Sequence, residues 1–248
     1  AGVSDTVMRG LATVGALEAV AVEADRPLPA PDPDFAPPEL SQEQQEASAS
    51  LASAVGKGFD PVLLDGVTGS GKTEVYFEAI AEALRQQRQV LVLLPEIALT
   101  EPFLKRFQAR FGCAPVAWHS DLRSSQRRRA WRAIASGEAK VVVGARSALF
   151  LPYADLGLIV VDEEHDPAYK QEDGAHYHAR DMAVVRGSIA KIPVLLASAT
   201  PSLETTVNVR AHRYAMVHLP GPAGVVGAGA CVPSAFIAWV CPVLLFDT

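Results

Sequence analysis

Residues 66–73 read GVTGSGKT, set between an apolar run, PVLLDG, and a helix-forming stretch, TEVYFEAIAEALRQQ. A loop of the form GxxxxGK[ST] in that position commits the chain to a strand–loop–helix unit, which requires a parallel sheet around it. Gly66, Gly69 and Gly71, with Ser70 between them, let the backbone wind closely about phosphate oxygens, its N–H groups pointing inward at a helix N-terminus. Lys72 then brings a cation to the β- and γ-phosphates of a nucleotide, and the Thr73 hydroxyl becomes a Mg2+ ligand.

The rest of the chain agrees with a parallel sheet. QVLVLLPE, APVAWHS, AKVVVGAR, GLIVVDEEH and IPVLLASAT hold short Val/Leu/Ile runs without polar alternation. Such runs are strands covered on both faces. EPFLKRFQARF, SSQRRRAWRAIASG, HARDMAVVRGSIAK and PSLETTVNVR read as the helices between them, and a further helix follows LSQEQQ. The expected fold class is α/β, a parallel sheet wrapped by helices. Ligands of such sheets sit at the carboxyl ends of the strands, so DG, PE, HS, GAR, DEEH and SAT are expected on one edge.

With 248 residues, 49% of them apolar, the chain can bury a substantial core. A net charge of −6 excludes wholesale attraction to nucleic acid, so any such binding must come from local patches. Cys113, Cys231 and Cys241 form no CxxC pair, which argues against a disulfide framework or a thiolate zinc site and for a reducing, cytoplasmic location. AGVSDTVMRG lacks the basic region and apolar core of a signal peptide and reads as the interior of a longer protein. Residues 6–25 suggest a short helix, a Gly turn and a period-two stretch (Leu17, Ala19, Ala21). RPLPAPDPDFAPPEL is an extended proline-rich connector.

From Leu219 to Phe246 no residue is charged, yet Pro220, Pro222, Pro233, Pro242 and several glycines make poor helix material. A membrane span is not expected there; a terminus foreign to the native domain, such as a shifted reading frame, is. The expected organisation is therefore 1–25, the connector 26–39, the main lobe 40–218 and an atypical apolar tail 219–248.

LIVVDEEHDPAYKQEDGAHYHARD, residues 158–181, admits two readings. Asp162, His165, His176 and His178 could hold a metal, but their spacing does not match a zinc pattern such as HExxH. In a phosphate-loop enzyme, an apolar strand ending in Asp supplies the second Mg2+ contact, and a neighbouring carboxylate orients the attacking water. Asp162 and Glu163 fit those roles, and His165 is placed to sense the γ-phosphate.

The Walker-type lysine, the DExH on the fourth strand after it, and SAT (Ser198, Ala199, Thr200) on the next strand resemble the first motor lobe of the superfamily 2 helicases, a RecA-like P-loop NTPase lobe. Within that group DGVTGSGKTEVY, LVLLPEIALT, GARSALF, VVDEEHDPAYKQEDGAHYHARDMAVVR and ASATPSLET resemble the PriA (primosomal protein N′) family of replication-restart helicases, from about Leu40 to Tyr214. The resemblance implies an ATP- and Mg2+-dependent 3′-to-5′ DNA helicase. Its implied partners are single-stranded and forked DNA, primosome proteins and single-strand-binding proteins.

Residue by residue, it implies an adenine-side role for Gln44. Strand-holding roles fall to Pro95, Thr100, Gly144, Arg146 and Ser147. Asp166 to Arg180 becomes an aromatic-rich coupling loop, with Tyr169, Tyr177 and His178 as stacking faces and Lys170 and Arg180 as backbone charges. Ser198 and Thr200 link the γ-phosphate to lobe movement. Residues 1–25 resemble the end of a winged-helix domain. The family's second lobe, with the arginine it contributes, its 3′-end-binding domain and its zinc-binding cysteines are missing from this chain. A catalytically silent DNA-binding or scaffold lobe is therefore the alternative. RRRAWR, residues 127–132, is expected to spread its charges round a helix as a solvated face.

Overall fold

The structure is a computed structural model that describes residues 5–16, 27–95 and 101–221. Its strands are β1 (Pro61–Gly66), β2 (Gln89–Leu93), β3 (Val116–Trp118), β4 (Val141–Gly144), β5 (Leu156–Asp162), β6 (Lys170–Gln171), β7 (Tyr177–His178), β8 (Val194–Ser198) and β9 (Ala215–Leu219). Seven of them form one parallel sheet in the order β3-β4-β2-β5-β8-β1-β9, while β6 and β7 pair as a separate antiparallel hairpin.

The apolar strand runs divide by alternation, as a pleated sheet demands. Val90, Val92, Val160 and Leu195 face a core shared with α2 (Gln42–Ala54), α3 (Lys72–Arg85) and α4 (Glu101–Phe111). Leu91, Leu93, Ile159 and Leu196 face a second core closed by α5 (Ser124–Ala135) and α6 (Ala179–Ala190). Phe77 of α3 sets its ring edge-on to Phe103, Phe107 and Phe111 of α4, at centroid separations of 5.9, 5.8 and 5.5 Å. The buried Gln89 amide ties the start of β2 to its surroundings. It donates to the carbonyls of Ile134 (3.1 Å) and Ala139 (2.8 Å) and accepts from the Asp155 N–H (2.9 Å).

Two features differ from the sequence reading. β9 was not expected as a strand. Leu219, taken as the first tail residue, is 1% exposed, ends β9 and pairs with Gly66. The ordered fold therefore passes the expected boundary at 218, because an apolar segment beside β1 buries one face and satisfies its backbone there. Residues 222–248 lie outside the described residues, as does the stretch holding Leu17, Ala19 and Ala21. From the N-terminal piece, α1 (Asp5–Thr13) is described. No described helix is long and apolar enough to cross a membrane.

Candidate nucleotide and polynucleotide site

The glycine loop joins β1 to α3. Gly69 and Gly71 hold φ of 81° and 87°, a region open to glycine at little cost. A Cβ on Gly71 would lie 2.4 Å from the Gln44 Nε2. Gln44 leans over the loop from α2. Its amide donates to the Ser70 carbonyl (2.9 Å) and accepts from the Ser41 N–H (2.9 Å), closing the cap of that helix. A pocket of about 370 Å3 lies between Ser41, Glu43, Gln44, the Gly69–Ser70 turn and the end of β9. The Lys72 ammonium is buried and folded back onto the Gly66 carbonyl (2.7 Å) and the Val67 carbonyl (3.3 Å). The Ser70 hydroxyl is buried with no hydrogen-bond partner among the described residues, a polar atom turned into the loop.

β8 alone separates β1 from β5, so the loop and the acidic strand end are close. Tyr76, one turn into α3, joins them. Its hydroxyl donates to Asp162 Oδ2 (2.8 Å) and also interacts with the Thr73 side chain. Thr73 and Asp162 therefore flank one fully buried phenol and fit a shared small cation. Burial raises the pKa of the Asp162 carboxyl, against which the Tyr76 hydrogen bond works. Glu163 turns the chain sharply, with φ of 47°, a strained value for a residue with a side chain.

His165 Nδ1 lies 2.8 Å from the Ser198 hydroxyl and 3.7 Å from Glu163 Oε2. The Ser198 hydroxyl in turn accepts from the Thr200 N–H (3.1 Å). The DEEH and SAT strand ends thus form one hydrogen-bonded unit. Among the described residues no group of three or more His, Cys, Asp or Glu could hold a metal ion.

Sequence reasoning passed over Glu164, which is 0% exposed. Its carboxylate accepts from the Ser202 N–H (2.6 Å), the Ser202 hydroxyl (2.9 Å) and the Thr205 hydroxyl (3.0 Å), and pairs with Arg180 at 3.2 Å. This cluster fastens the turn after β5 to the starts of α6 and α7 (Leu203–Arg210). Nothing in the local pattern separates Glu164 from Glu163; the signal lay in matching it with a distant arginine.

The expected strand-holding residues come together on the other half of the sheet. Pro95 is buried just beyond β2, Gly144 ends β4, and the exposed Ser147 accepts a hydrogen bond from the Trp118 indole N–H (3.2 Å). Arg146 is tied to the Lys170 carbonyl. Thr100 lies outside the described residues. In the hairpin Lys170 is exposed and paired with Glu172 (2.6 Å), and Tyr177 sits edge-on to Phe150 (5.3 Å). His178 is half-buried, with its ring 6.4 Å from that of Tyr169.

Two expectations are corrected. Tyr169 is 1% exposed, so its ring face is closed to a base; its hydroxyl faces the carbonyls of Leu93 (3.0 Å) and Asp162 (2.6 Å). Arg180 is 4% exposed, and its charge is taken up by Glu164 and Asp181 rather than offered to a phosphate. Desolvation opposes its charge, but Asp181 and Glu164 outweigh that and raise its pKa.

The sequence matches the DEAD/DEAH box helicase family over residues 41–209. It is 50% identical over 185 residues to the replication restart protein PriA of Rickettsia typhi, covering 75% of this chain and 28% of that protein. With PriA of Haemophilus influenzae the identity is 46%, covering 75% of this chain and 25% of the relative. Among solved structures, RecG bound to a three-way DNA junction superposes with a TM-score of 0.58 at 20% identity, covering 76% of this chain and 25% of that one. The Hef helicase domain of Pyrococcus furiosus gives 0.51 at 19%, covering 71% of this chain and 37% of that one. The chain spans about a quarter of the length of the curated relatives it matches.

Proposed function

The chain belongs to the DEAD/DEAH box helicase family, and from that premise we propose that it is the first motor lobe of an ATP-dependent 3′-to-5′ DNA helicase that restarts replication. The observation that carries this reading is the Tyr76 hydroxyl standing between Thr73 and Asp162. It puts the phosphate loop and the acidic strand end around one small space.

In that space the loop N–H groups and Ser70 hold the phosphates of ATP. Lys72 leaves the Gly66 and Val67 carbonyls for the β- and γ-phosphates, and Gln44 edges the adenine pocket. Mg2+ held by Thr73 and Asp162 would supply neutralisation of the phosphate charge. Glu163 takes a proton from water as its oxygen bonds to the γ-phosphorus, while the bond to the β-phosphate oxygen breaks and ADP leaves. His165, Ser198 and Thr200 report the loss of that phosphate to α7.

Strand order supports the division of labour. β5, β8 and β1 carry DEEH, SAT and the loop side by side, whereas β2, β4 and β3 carry PE, GAR and HS. A single DNA strand would lie along the second group, held by backbone amides, Arg146 and Ser147. PriA-like partners, namely forked DNA, primosome proteins and single-strand-binding proteins, and a cytoplasmic setting belong to the same proposal. So do the domain limits, with the lobe extended from 218 to the end of β9. In the family resemblance a second lobe contributes the transition-state arginine, so nucleotide binding belongs to this lobe and full hydrolysis to the longer protein.

The test is Lys72→Ala. The variant should lose at least about tenfold in MgATP affinity, measured by calorimetry on this chain, and should abolish DNA-stimulated hydrolysis in the full-length protein. Unchanged hydrolysis would sink the motor reading. Nucleotide binding with no turnover in the full-length protein would instead favour a DNA-binding scaffold.

A further inference from the structure

The arginine-rich run of α5 spreads its charges round the helix, but two of them share a face with its tryptophan. Ser124, Arg127, Arg128 and Trp131 fall at i, i+3, i+4 and i+7, which is one stripe of a helix. That stripe and the end of β3 enclose a concavity of about 370 Å3 lined by Trp118, Leu122, Ser124, Arg127, Arg128 and Trp131.

Part of the pocket is built and fixed. Trp118 is largely buried, and its indole N–H is held by the Ser147 hydroxyl of the GARS segment. The Arg127 guanidinium lies 5.6 Å from the centre of the Trp118 ring and donates to the carbonyls of His119 (3.3 Å) and Ser120 (3.0 Å). Two groups are left facing outward. Trp131 is 49% exposed, and Arg128 is exposed with no hydrogen bond or ion pair among the described residues. A wide apolar ring beside an unpaired cation, on a chain of net charge −6, suits a ligand that is flat, apolar and negative at once.

We infer that this pocket receives a base of single-stranded DNA, stacked on Trp131, with the adjoining phosphate at Arg128. The inference rests on the reading of the β2–β4–β3 rim as the DNA path and extends that path outward by one element. β1 lies five neighbours away from β3 in the sheet, about 24 Å at the usual strand spacing, so the pocket is separate from the nucleotide site. A stacked base is read through its ring face, so the site would accept any sequence.

The experiment titrates this chain with fluorescein-labelled oligothymidylate at several salt concentrations, following anisotropy and tryptophan emission. Trp131→Ala should weaken binding at least about fivefold, with Trp131→Phe in between, because base–aromatic stacking depends on ring area. Emission quenching seen with the unsubstituted chain should be largely lost in Trp131→Phe. Arg128→Gln should reduce the slope of log affinity against log salt by roughly 0.7. Thermal unfolding of each variant shows whether the fold is kept, and Arg128→Gln, a change at an exposed side chain, gives an answer independent of the Trp131 variants. If the unsubstituted chain binds the oligonucleotide and all three variants match it, the pocket is not a DNA subsite and the lobe reading stands. If the unsubstituted chain does not bind at all, both fall.

Discussion

At the scale of single residues, the nucleotide site depends on two side chains and one missing side chain. Gly71 has no side chain because its φ is positive and the Gln44 amide occupies the place of a Cβ. Gly71→Ala is expected to cost about 1–2 kcal/mol in stability and to abolish nucleotide binding, read by denaturant titration and calorimetry. Tyr76 acts through its neighbours. Tyr76→Phe keeps the ring in the core but releases Asp162 and Thr73 from their common hydroxyl. Outer partners of metal-binding groups commonly matter by an order of magnitude, so MgATP affinity should fall roughly tenfold. The affinity for ATP without Mg2+ should change little, and equal losses with and without Mg2+ would contradict the positioning role.

At the scale of elements, the turn after β5 is fastened by a buried charge pair. Glu164→Ala leaves Arg180 with Asp181 (2.7 Å) but takes the acceptor from the Ser202 N–H and the Thr205 hydroxyl, a loss of about 2–3 kcal/mol, measurable as a drop in the urea midpoint. Glu164→Gln keeps one acceptor oxygen, which can serve either the Ser202 N–H or the Ser202 and Thr205 hydroxyls, and should lose less. The same region carries a pH dependence. Burial, and then the nearby Arg180 charge, lower the pKa of His178 below its ordinary 6.5. As pH falls the unfolded chain takes up that proton first. The stability is therefore complete above about 6.5 and declines from there toward the lowered folded value. His178→Gln should flatten that part of the curve of urea midpoint against pH.

The elements themselves were largely legible in the sequence, because continuous Val/Leu/Ile runs and the glycine loop each admit few backbones. The weak strand β9 was not, since its Ala, Met and His residues carry little pattern and only pairing with β1 defines it. Nor were the burial of Tyr169 and Arg180 legible. Both are residues that usually reach solvent, and only the distant groups Leu93, Glu164 and Ser202 draw them in. The stripe holding Trp131 could have been found by applying helical spacing to RRRAWR.

At the scale of the whole molecule, strand order sorts the rim into two territories, and no local pattern predicts that order. Loop and acid motifs occupy one side and the GAR and HS ends the other, with β2 against β5 as the border. Because residues 40–218 carry as many acids as bases, DNA binding depends on a few local cations and should weaken steeply with salt, while MgATP affinity responds far less. Titrations at 50 and 200 mM salt check this contrast.

Tyr169 stands on that border. A phenol owns one proton, and here it is offered to two oxygens, one on the last residue of β2 and one on the last residue of β5. The ladder between β2 and β5 closes the seam along their length, and the phenol clasps the two carboxyl ends where that ladder stops. A small shift of either strand end can pass the proton to the other carbonyl without leaving the phenol unsatisfied. Tyr169→Phe removes this clasp but keeps the ring, and it should leave ATP affinity in place while separating hydrolysis from the presence of DNA.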